Sequence, residues 1–300
     1  MSAGRFAPSP SGSLHLGNLR TAFAAWLVAR ASGAEFLLRF EDLTTGAAPA
    51  AQAEQLQDLA LLGLTHDGEV TCQSERTELY AQAIHQLEQL GLTYNCYCSR
   101  REVREAAAAP HGAAPEGSYP GTCLRLTQEQ IRQYQRAGRR PALRLHGSAG
   151  SSSGIQTGIQ TDDFVLRRAD GVAAYNLAVV VDDAAQGIDQ VVRGDDLVET
   201  TPRQVLLQGL LGYPTPTYLH VPLVLGLDGE RLSKRHGAVG LQELRAVGLT
   251  PQQVLGYLAY SLGVTPQDSP VTAEAVVNGF SAQNIPARPW VFDPSELRSG

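Results

Sequence analysis

The 300 residues predict an α/β protein built on a doubly wound parallel sheet, with an insertion in its middle and a short helical C-terminal piece. Three observations predict it. Short apolar runs alternate with segments of helical periodicity through the first hundred residues. A loop rich in Pro and Gly directly follows the first run, the place where such sheets bind ligands. The middle third breaks the alternation with Asp-Gly turns and with stretches rich in Ala, Pro, Ser and Gly.

Taken in order, Arg5 opens a short strand that enters the turn Pro8-Ser9-Pro10-Ser11-Gly12. Leu19, Phe23, Trp26, Leu27 and Arg30 recur at helical spacing, so a helix is expected over about 18–32. Residues 36–40 are apolar apart from Arg39 and suit a strand buried on both faces. Leu56, Leu59 and Leu62 mark a second helix; Tyr80, Ala83, Ile84, Leu87 and Leu90 mark a third. Residues 106–117 and 148–158 have loop composition. Asp170-Gly171 predicts a hairpin between 165–168 and 177–181, and Asp228-Gly229 a second between 223–225 and 231–232. The expected organisation is a first sheet half over 1–94, an inserted subdomain over 95–190, a second sheet half over 191–240 and short helices over 241–300.

Composition narrows the function. Hydrophobic residues are 43% and charged residues 18%, enough apolar surface for a packed core and too much for a disordered chain. A net charge of −6 excludes coating of nucleic acid by bulk charge, though a local basic face is compatible with it. The longest apolar candidates are broken by Arg30 and Asp182, so no membrane span is expected. The first five residues lack a signal-type apolar stretch, and a cytoplasmic location is the expectation. Of the 24 basic residues a single one is lysine, Lys234. A compact ammonium on a flexible stem is something arginine cannot copy, which singles that position out for chemistry.

No G-x-G-x-x-G follows the first strand, which argues against a nicotinamide cofactor. The residues there are Ser13-Leu14-His15-Leu16-Gly17-Asn18. Glycine permits close backbone approach to a ligand, His15 can donate to a phosphate oxygen, and Asn18 is expected to begin a helix whose free N–H groups face an anion. A second basic loop, Arg231-Leu232-Ser233-Lys234-Arg235-His236-Gly237, could clamp a triphosphate. Cys96-x-Cys98 and Cys123 offer three soft ligands to a metal, with His111 or Tyr119 as the fourth. Cys72 lies outside this pattern and is expected to be a buried thiol.

Together His15-Leu16-Gly17-Asn18 and Leu232-Ser233-Lys234-Arg235 resemble the paired signature motifs of the class I aminoacyl-tRNA synthetases. Arg39-Phe40-Glu41-Asp42, Gln73-Ser74-Glu75-Arg76, Tyr175-Asn176-Leu177-Ala178 and Val192-Arg193-Gly194-Asp195-Asp196 resemble the glutamate branch of that family. The likeness spans about residues 4–240. It departs at Asn18, where a second histidine often stands, at Arg231-Leu232, and at Leu43-Thr44-Thr45 after the acidic pair. The resemblance implies a Rossmann-type fold whose insertion is a zinc-bearing, acceptor-like subdomain. It implies attack of the α-carboxylate of L-glutamate on the α-phosphorus of ATP, with Mg2+ accompanying the nucleotide. His15 and Lys234 would be catalytic; Gly17, Asn18, Leu232, Ser233 and Arg235 would join them around ATP. Arg5, Tyr175 and Arg193 would hold the glutamate side-chain carboxylate, and Ser9 and Glu41 its ammonium. An ion pair of Arg193 with Asp195 or Asp196 is the competing structural role.

Only 63 residues follow Gly237, too few for an anticodon-binding domain of the full-length glutamate enzymes. Shortness and the pattern Cys96-x-Cys98…Tyr119-x3-Cys123 resemble the branch whose members bind zinc through those four positions. Those proteins activate glutamate without tRNA and transfer it to the queuosine base in the anticodon of tRNA(Asp). The expected partners are therefore glutamate, ATP and queuosine-containing tRNA(Asp), met by a monomer. Arg100, Arg101, Arg104, Arg132, Arg136, Arg139 and Arg140 in the insertion are candidates for RNA phosphate contacts. The alternatives are a reduced enzyme charging the 3′ end of tRNA(Glu) and a non-catalytic tRNA-binding relative; intact His15 and Lys234 argue against the latter.

Overall fold

The computed structural model describes residues 2–44, 46–108, 119–149, 159, 161–232, 240–266 and 269–296. The chain begins with β1 (Ala3–Phe6), α1 (Leu16–Ala31), β2 (Glu35–Phe40), α2 (Pro49–Leu61) and β3 (Thr71–Cys72). It continues through α3 (Thr77–Gln89), β4 (Thr93–Cys96), α4 (Arg100–Ala108), α5 (Gln128–Arg136), β5 (Ala142–Leu145) and β6 (Phe164–Arg167). Next come α6 (Tyr175–Ala185), β7 (Gln190–Gly194), α7 (Thr201–Leu211), β8 (Thr217–Val221) and β9 (Val224–Leu225). It closes with α8 (Leu241–Ala246), α9 (Pro251–Ser261), α10 (Ala273–Val277) and β10 (Trp290–Val291). Two compact units result: Met1–Glu75 with Gly187–Val198 and Pro216–Gly300, and Arg76–Gln186 with Glu199–Thr215.

The first unit holds a five-stranded sheet in the order β3-β2-β1-β7-β8, parallel throughout. Strands run outward from β1 on one side and from β7 on the other, so the topological switch point falls between these two strands. Side chains alternate between the faces of this sheet. Phe6, Phe36, Leu38, Phe40 and Val192 enter the core shared with α1. That helix is buried all round, with Leu16, Leu19, Phe23, Trp26 and Leu27 each 3% exposed or less, which is why its apolar residues do not follow a single stripe. It lies close to the sheet because Gly4 lacks a side chain: a Cβ there would stand 3.3 Å from the Ala29 Cβ. Buried Arg20 ties α1 to the end of α9, donating from Nε to Ser261 Oγ at 2.9 Å and from Nη2 to the Ser261 carbonyl at 3.0 Å.

Helix α2 braces the loop after β1. The Gln55 carboxamide donates to the carbonyls of Ser9 and Gly12 at 3.2 and 2.6 Å. One turn further on, buried Asp58 accepts from Gln242 of α8 at 2.9 Å.

The second unit has an antiparallel sheet β4-β5-β6 and the mutually packed helices α3, α6 and α7. Buried Asp182 joins α6 to the start of α3, accepting from Arg76 Nε at 2.6 Å and from the Tyr80 hydroxyl at 2.8 Å. Residues 177–181, expected as a hairpin strand, are instead helical within α6. The run from Leu177 to Asp183 is buried on every side, so it carries no amphipathic period to separate helix from strand. The Asp170-Gly171 turn does form, with Arg168 N–H donating to Val172 O, but the returning chain adds only an Arg167–Ala173 bridge. Asp228-Gly229 makes the expected hairpin, with Leu225 opposite Arg231. Among the described residues, no helix is long and apolar enough to cross a membrane.

Burial pushes the Asp58 carboxyl up to about 6, with Glu54 and Glu243 adding to the effect while Gln242 and Arg245 oppose it. The unfolded chain releases this proton near its ordinary value and the folded chain holds it longer, so stability falls as pH rises from about 4 to 6. Asp58→Asn should flatten that fall, which can reach about 3 kcal/mol. Urea unfolding at pH 4 and pH 7.5 measures it.

Candidate active site

The loop between β1 and α1 sits at the switch point, where the carboxyl ends of diverging strands leave a crevice. Its path is set by backbone pairing: Glu41 N–H donates to Pro8 O at 2.9 Å and Ala48 N–H to Pro10 O at 3.0 Å. This places Glu41, which follows β2, beside the loop that carries exposed Ser9.

His15, and not Asn18, starts the helix. His15 is the N-cap of α1; its Nδ1 accepts the Asn18 backbone N–H at 3.2 Å, while Asn18 Oδ1 accepts the His15 N–H at 3.3 Å. This is a capping box in which imidazole replaces the usual hydroxyl. Asn18 therefore stands in the first helical turn and completes the cap. Gly17 leaves room for the ring, since a Cβ there would lie 3.1 Å from its Nδ1 and Cε1. Burial, with the Arg231 guanidinium adding, pushes the imidazole down to about 4. The ring is neutral at neutral pH. With Nδ1 committed as an acceptor, its proton sits on Nε2, which is left as a donor.

The second basic loop is anchored at its two described flanks. Leu232, 1% exposed, donates its N–H to Val224 O at 2.9 Å. Gly240 forms an antiparallel bridge with His15 itself. Ser233, Lys234 and Arg235 lie outside the described residues, as does His111.

The sheet face opposite α1 carries the cations. Register pairs Arg5 with Val191, and Arg193 with His220, so Arg5, Arg39 and Arg193 share one face at the carboxyl ends of β1, β2 and β7. They are 3%, 0% and 4% exposed, a concentration of buried positive charge that calls for anions. Arg39 Nη2 lies 3.7 Å from Glu41 Oε1. Arg193 donates from Nε to His220 at 3.2 Å and from Nη2 to Leu197 O at 3.2 Å, with its guanidinium 4.9 Å from the Tyr218 ring centre. Arg39, Tyr218 and His220 were not singled out from the sequence as ligand contacts; the period-two spacing Leu37-x-Arg39-x-Glu41 could have marked Arg39, whereas nothing local marks His220. Tyr175 stands in the second unit, first in α6 and 37% exposed. It lines a cavity of about 290 Å³ together with Tyr119, Arg144, Asn176 and Arg203.

That unit also gathers the cysteines. Cys96 ends β4, and Cys123 lies in a 3-10 turn after Tyr119. The three Sγ atoms of Cys96, Cys98 and Cys123 lie within 4.8 Å of one another, and Cys98 and Cys123 are 3.5 Å apart. The Tyr119 hydroxyl lies 3.3 Å from both Cys96 Sγ and Cys98 Sγ. Zinc–sulfur bonds of about 2.3 Å at tetrahedral angles require sulfurs about 3.8 Å apart, so this donor set fits a closed four-coordinate site. Hydrogen bonding with Cys123, then with Tyr119 and Arg144, holds the Cys96 thiol down to about 4 against its burial. Hydrogen bonding with Cys96, and then burial, push the Cys123 thiol up, so Cys96 is the member of this pair that ionises first. Of the insertion's arginines, Arg101, Arg132 and Arg139 pair on the surface with Glu105, Glu129 and Glu102. Cys72 is partly buried and takes a 3.8 Å contact from Gln52.

Residues 3–299 match the family described as tRNA synthetases class I (E and Q), catalytic domain, and the chain belongs to that family. Within it, the chain is 52% identical to a protein of Nocardia farcinica named glutamyl-Q tRNA(Asp) synthetase, over 98% of this chain and 94% of that one. It is 47% identical to a protein of the same name from Symbiobacterium thermophilum, over 96% and 95%. The fold is similar to the crystal structure of a glutamate–tRNA synthetase from Elizabethkingia anophelis, with a TM-score of 0.79 at 24% identity over 98% of this chain and 68% of the other.

His15→Ala should lower stability at pH 7 by about 1 kcal/mol, as loss of an N-cap does. Between pH 7 and 5 the unfolded wild type takes up a proton at this histidine and the folded protein does not, so wild-type stability falls and the difference from His15→Ala narrows. Paired unfolding curves at the two pH values check it.

Proposed function

We propose that this chain activates L-glutamate with ATP, without tRNA, and transfers it to the queuosine base in the anticodon of tRNA(Asp), working in the cytoplasm. The observation that carries this reading is identity near one half with proteins of that name along almost their whole length. The buried arginines and the capped histidine supply chemistry suited to it.

In the first step the α-carboxylate of glutamate attacks the α-phosphorus of ATP in line, and pyrophosphate leaves. The protein orients two anions and neutralises the charge that gathers between them. His15 is a neutral donor with Nε2–H free for a phosphate oxygen, and Gly17 and Asn18 let the first turn of α1 approach it. Lys234, with Ser233 and Arg235 beside it, supplies the positive charge on the pyrophosphate side, and Leu232 roots that loop. Mg2+ accompanying ATP would supply charge shielding for the phosphates. Arg5 and Arg193 hold the glutamate side-chain carboxylate, with Tyr175 added by the sequence resemblance. Glu41 and Ser9 receive its ammonium. Glutamine would leave a buried guanidinium uncompensated, a penalty of about 3 kcal/mol or more that selects the acid. In the second step a hydroxyl of the modified base attacks the acyl carbon and AMP leaves.

The Cys96, Cys98, Tyr119 and Cys123 set would hold Zn2+ in a structural role, tying the end of β4 to the Cys123 turn. Metal analysis should find one zinc per chain, and chelation should lower the melting temperature; no bound zinc and an unchanged melting curve would remove the metal from the reading.

Glutamate-dependent exchange of pyrophosphate into ATP should proceed without tRNA and drop on the order of 100-fold or more in His15→Ala and Lys234→Ala. Radiolabelled glutamate should appear on queuosine-containing tRNA(Asp) and not on tRNA(Asp) lacking queuosine. Label on tRNA(Glu) instead would establish a charging enzyme, and absence of exchange a binding protein.

A further inference from the structure

One cation in the second unit has no role in the chemistry above. Arg144 lies in the middle of β5, only 7% exposed. A buried guanidinium is expected to face a carboxylate. Among the described residues none forms an ion pair with it. Its Nη1 donates to the backbone carbonyl of Asp163 at 2.9 Å. The Asp163 carboxylate is turned elsewhere, accepting from the Tyr94 hydroxyl at 2.6 Å and the Gly147 N–H at 2.6 Å. Arg144 Nε is buried with no hydrogen-bond partner.

What Arg144 does face is the thiol cluster. Its guanidinium carbon stands 3.9 Å from the centre of the Tyr119 ring, well inside the range of a cation–π contact. It also lines one cavity with Cys96 and Cys98. One proposed donor therefore carries this buried charge over its ring, and two others share a cavity with it. Three thiolates and a tyrosine oxygen bring more negative charge than a divalent ion cancels, and a low-dielectric surrounding makes the excess costly. Groups behind the ligands commonly orient them and balance them.

We propose that Arg144 is the charge-compensating and positioning residue of the metal centre: stacked on the ring, it aims the Tyr119 hydroxyl at the three sulfurs and offsets their charge. This rests on the zinc reading of the cluster.

The test is zinc affinity, measured on the full chain by competition with a chromophoric chelator, together with the visible spectrum of the cobalt(II)-loaded protein. Arg144→Met, close in volume and neutral, should bind zinc about 10- to 100-fold more weakly. Its cobalt spectrum should change, because the Tyr119 oxygen is no longer held in place. Arg144→Lys keeps the charge without the flat stack and should fall between the two, so it carries the test if Arg144→Met does not fold. On a Tyr119→Phe background the same substitution should have a smaller effect, since the two side chains act together. A purely structural Arg144 would lower the melting temperature while leaving affinity and spectrum unmoved, and that outcome overturns the proposal. A wild-type chain that binds no zinc overturns the metal reading itself, a failure visible before any variant is made.

Discussion

A single hydrogen bond, from the Asn18 amide to His15 Nδ1, sets the terms on which the first unit works. It caps a helix whose apolar body fills the core beneath the sheet, so the start of that helix cannot shift without disturbing the packing. It commits Nδ1 as an acceptor, so the proton sits on Nε2, which is left as a donor. Through the backbone bridge to Gly240, the same residue also anchors the far flank of the basic loop. The first motif and the chain just beyond the second, more than two hundred residues apart, thus share one backbone contact, which adjacency in sequence could not have supplied.

The second constraint is electrostatic. Three arginines buried on one sheet face are unfavourable unless anions meet them, and Glu41 stands beside Arg39. A substrate carrying two carboxylates and arriving with a triphosphate suits such a face. The parallel strands make this possible without special backbone geometry. Their period of two sends Arg5, Arg39 and Arg193 to the same side, while Phe6, Phe40 and Val192 go to the core.

The second unit uses a different economy of contacts. Its small antiparallel sheet and buried Asp182 network hold the helices, and the cluster of Cys96, Cys98, Tyr119 and Cys123 gathers where β4 ends. Tyr119 stands among the thiols because the Cys123 amide and both neighbouring sulfurs converge on its hydroxyl. Arg144 behind it belongs to the next strand, so the cluster and its counter-charge come from different parts of the chain.

By itself the sequence determined the layered α/β class, the strand–loop–helix at the start, the Asp-Gly turns and the residue types that bring phosphate, carboxylate and metal chemistry. Each of these is local: a period, a turn dipeptide or a short spacing. It did not determine that residues 177–181 are helical, because a run buried on all sides has no polar face to betray its period. Nor did it show that His15 rather than Asn18 caps the helix, since a histidine accepting through Nδ1 is a rarer cap than a hydroxyl. The sharing of one face by Arg5, Arg39 and Arg193, the pairing of His15 with Gly240, and the stacking of Arg144 on Tyr119 were decided by the tertiary structure alone. They depend on register and on contacts between distant segments, and such contacts leave no mark in the order of residues along a single chain.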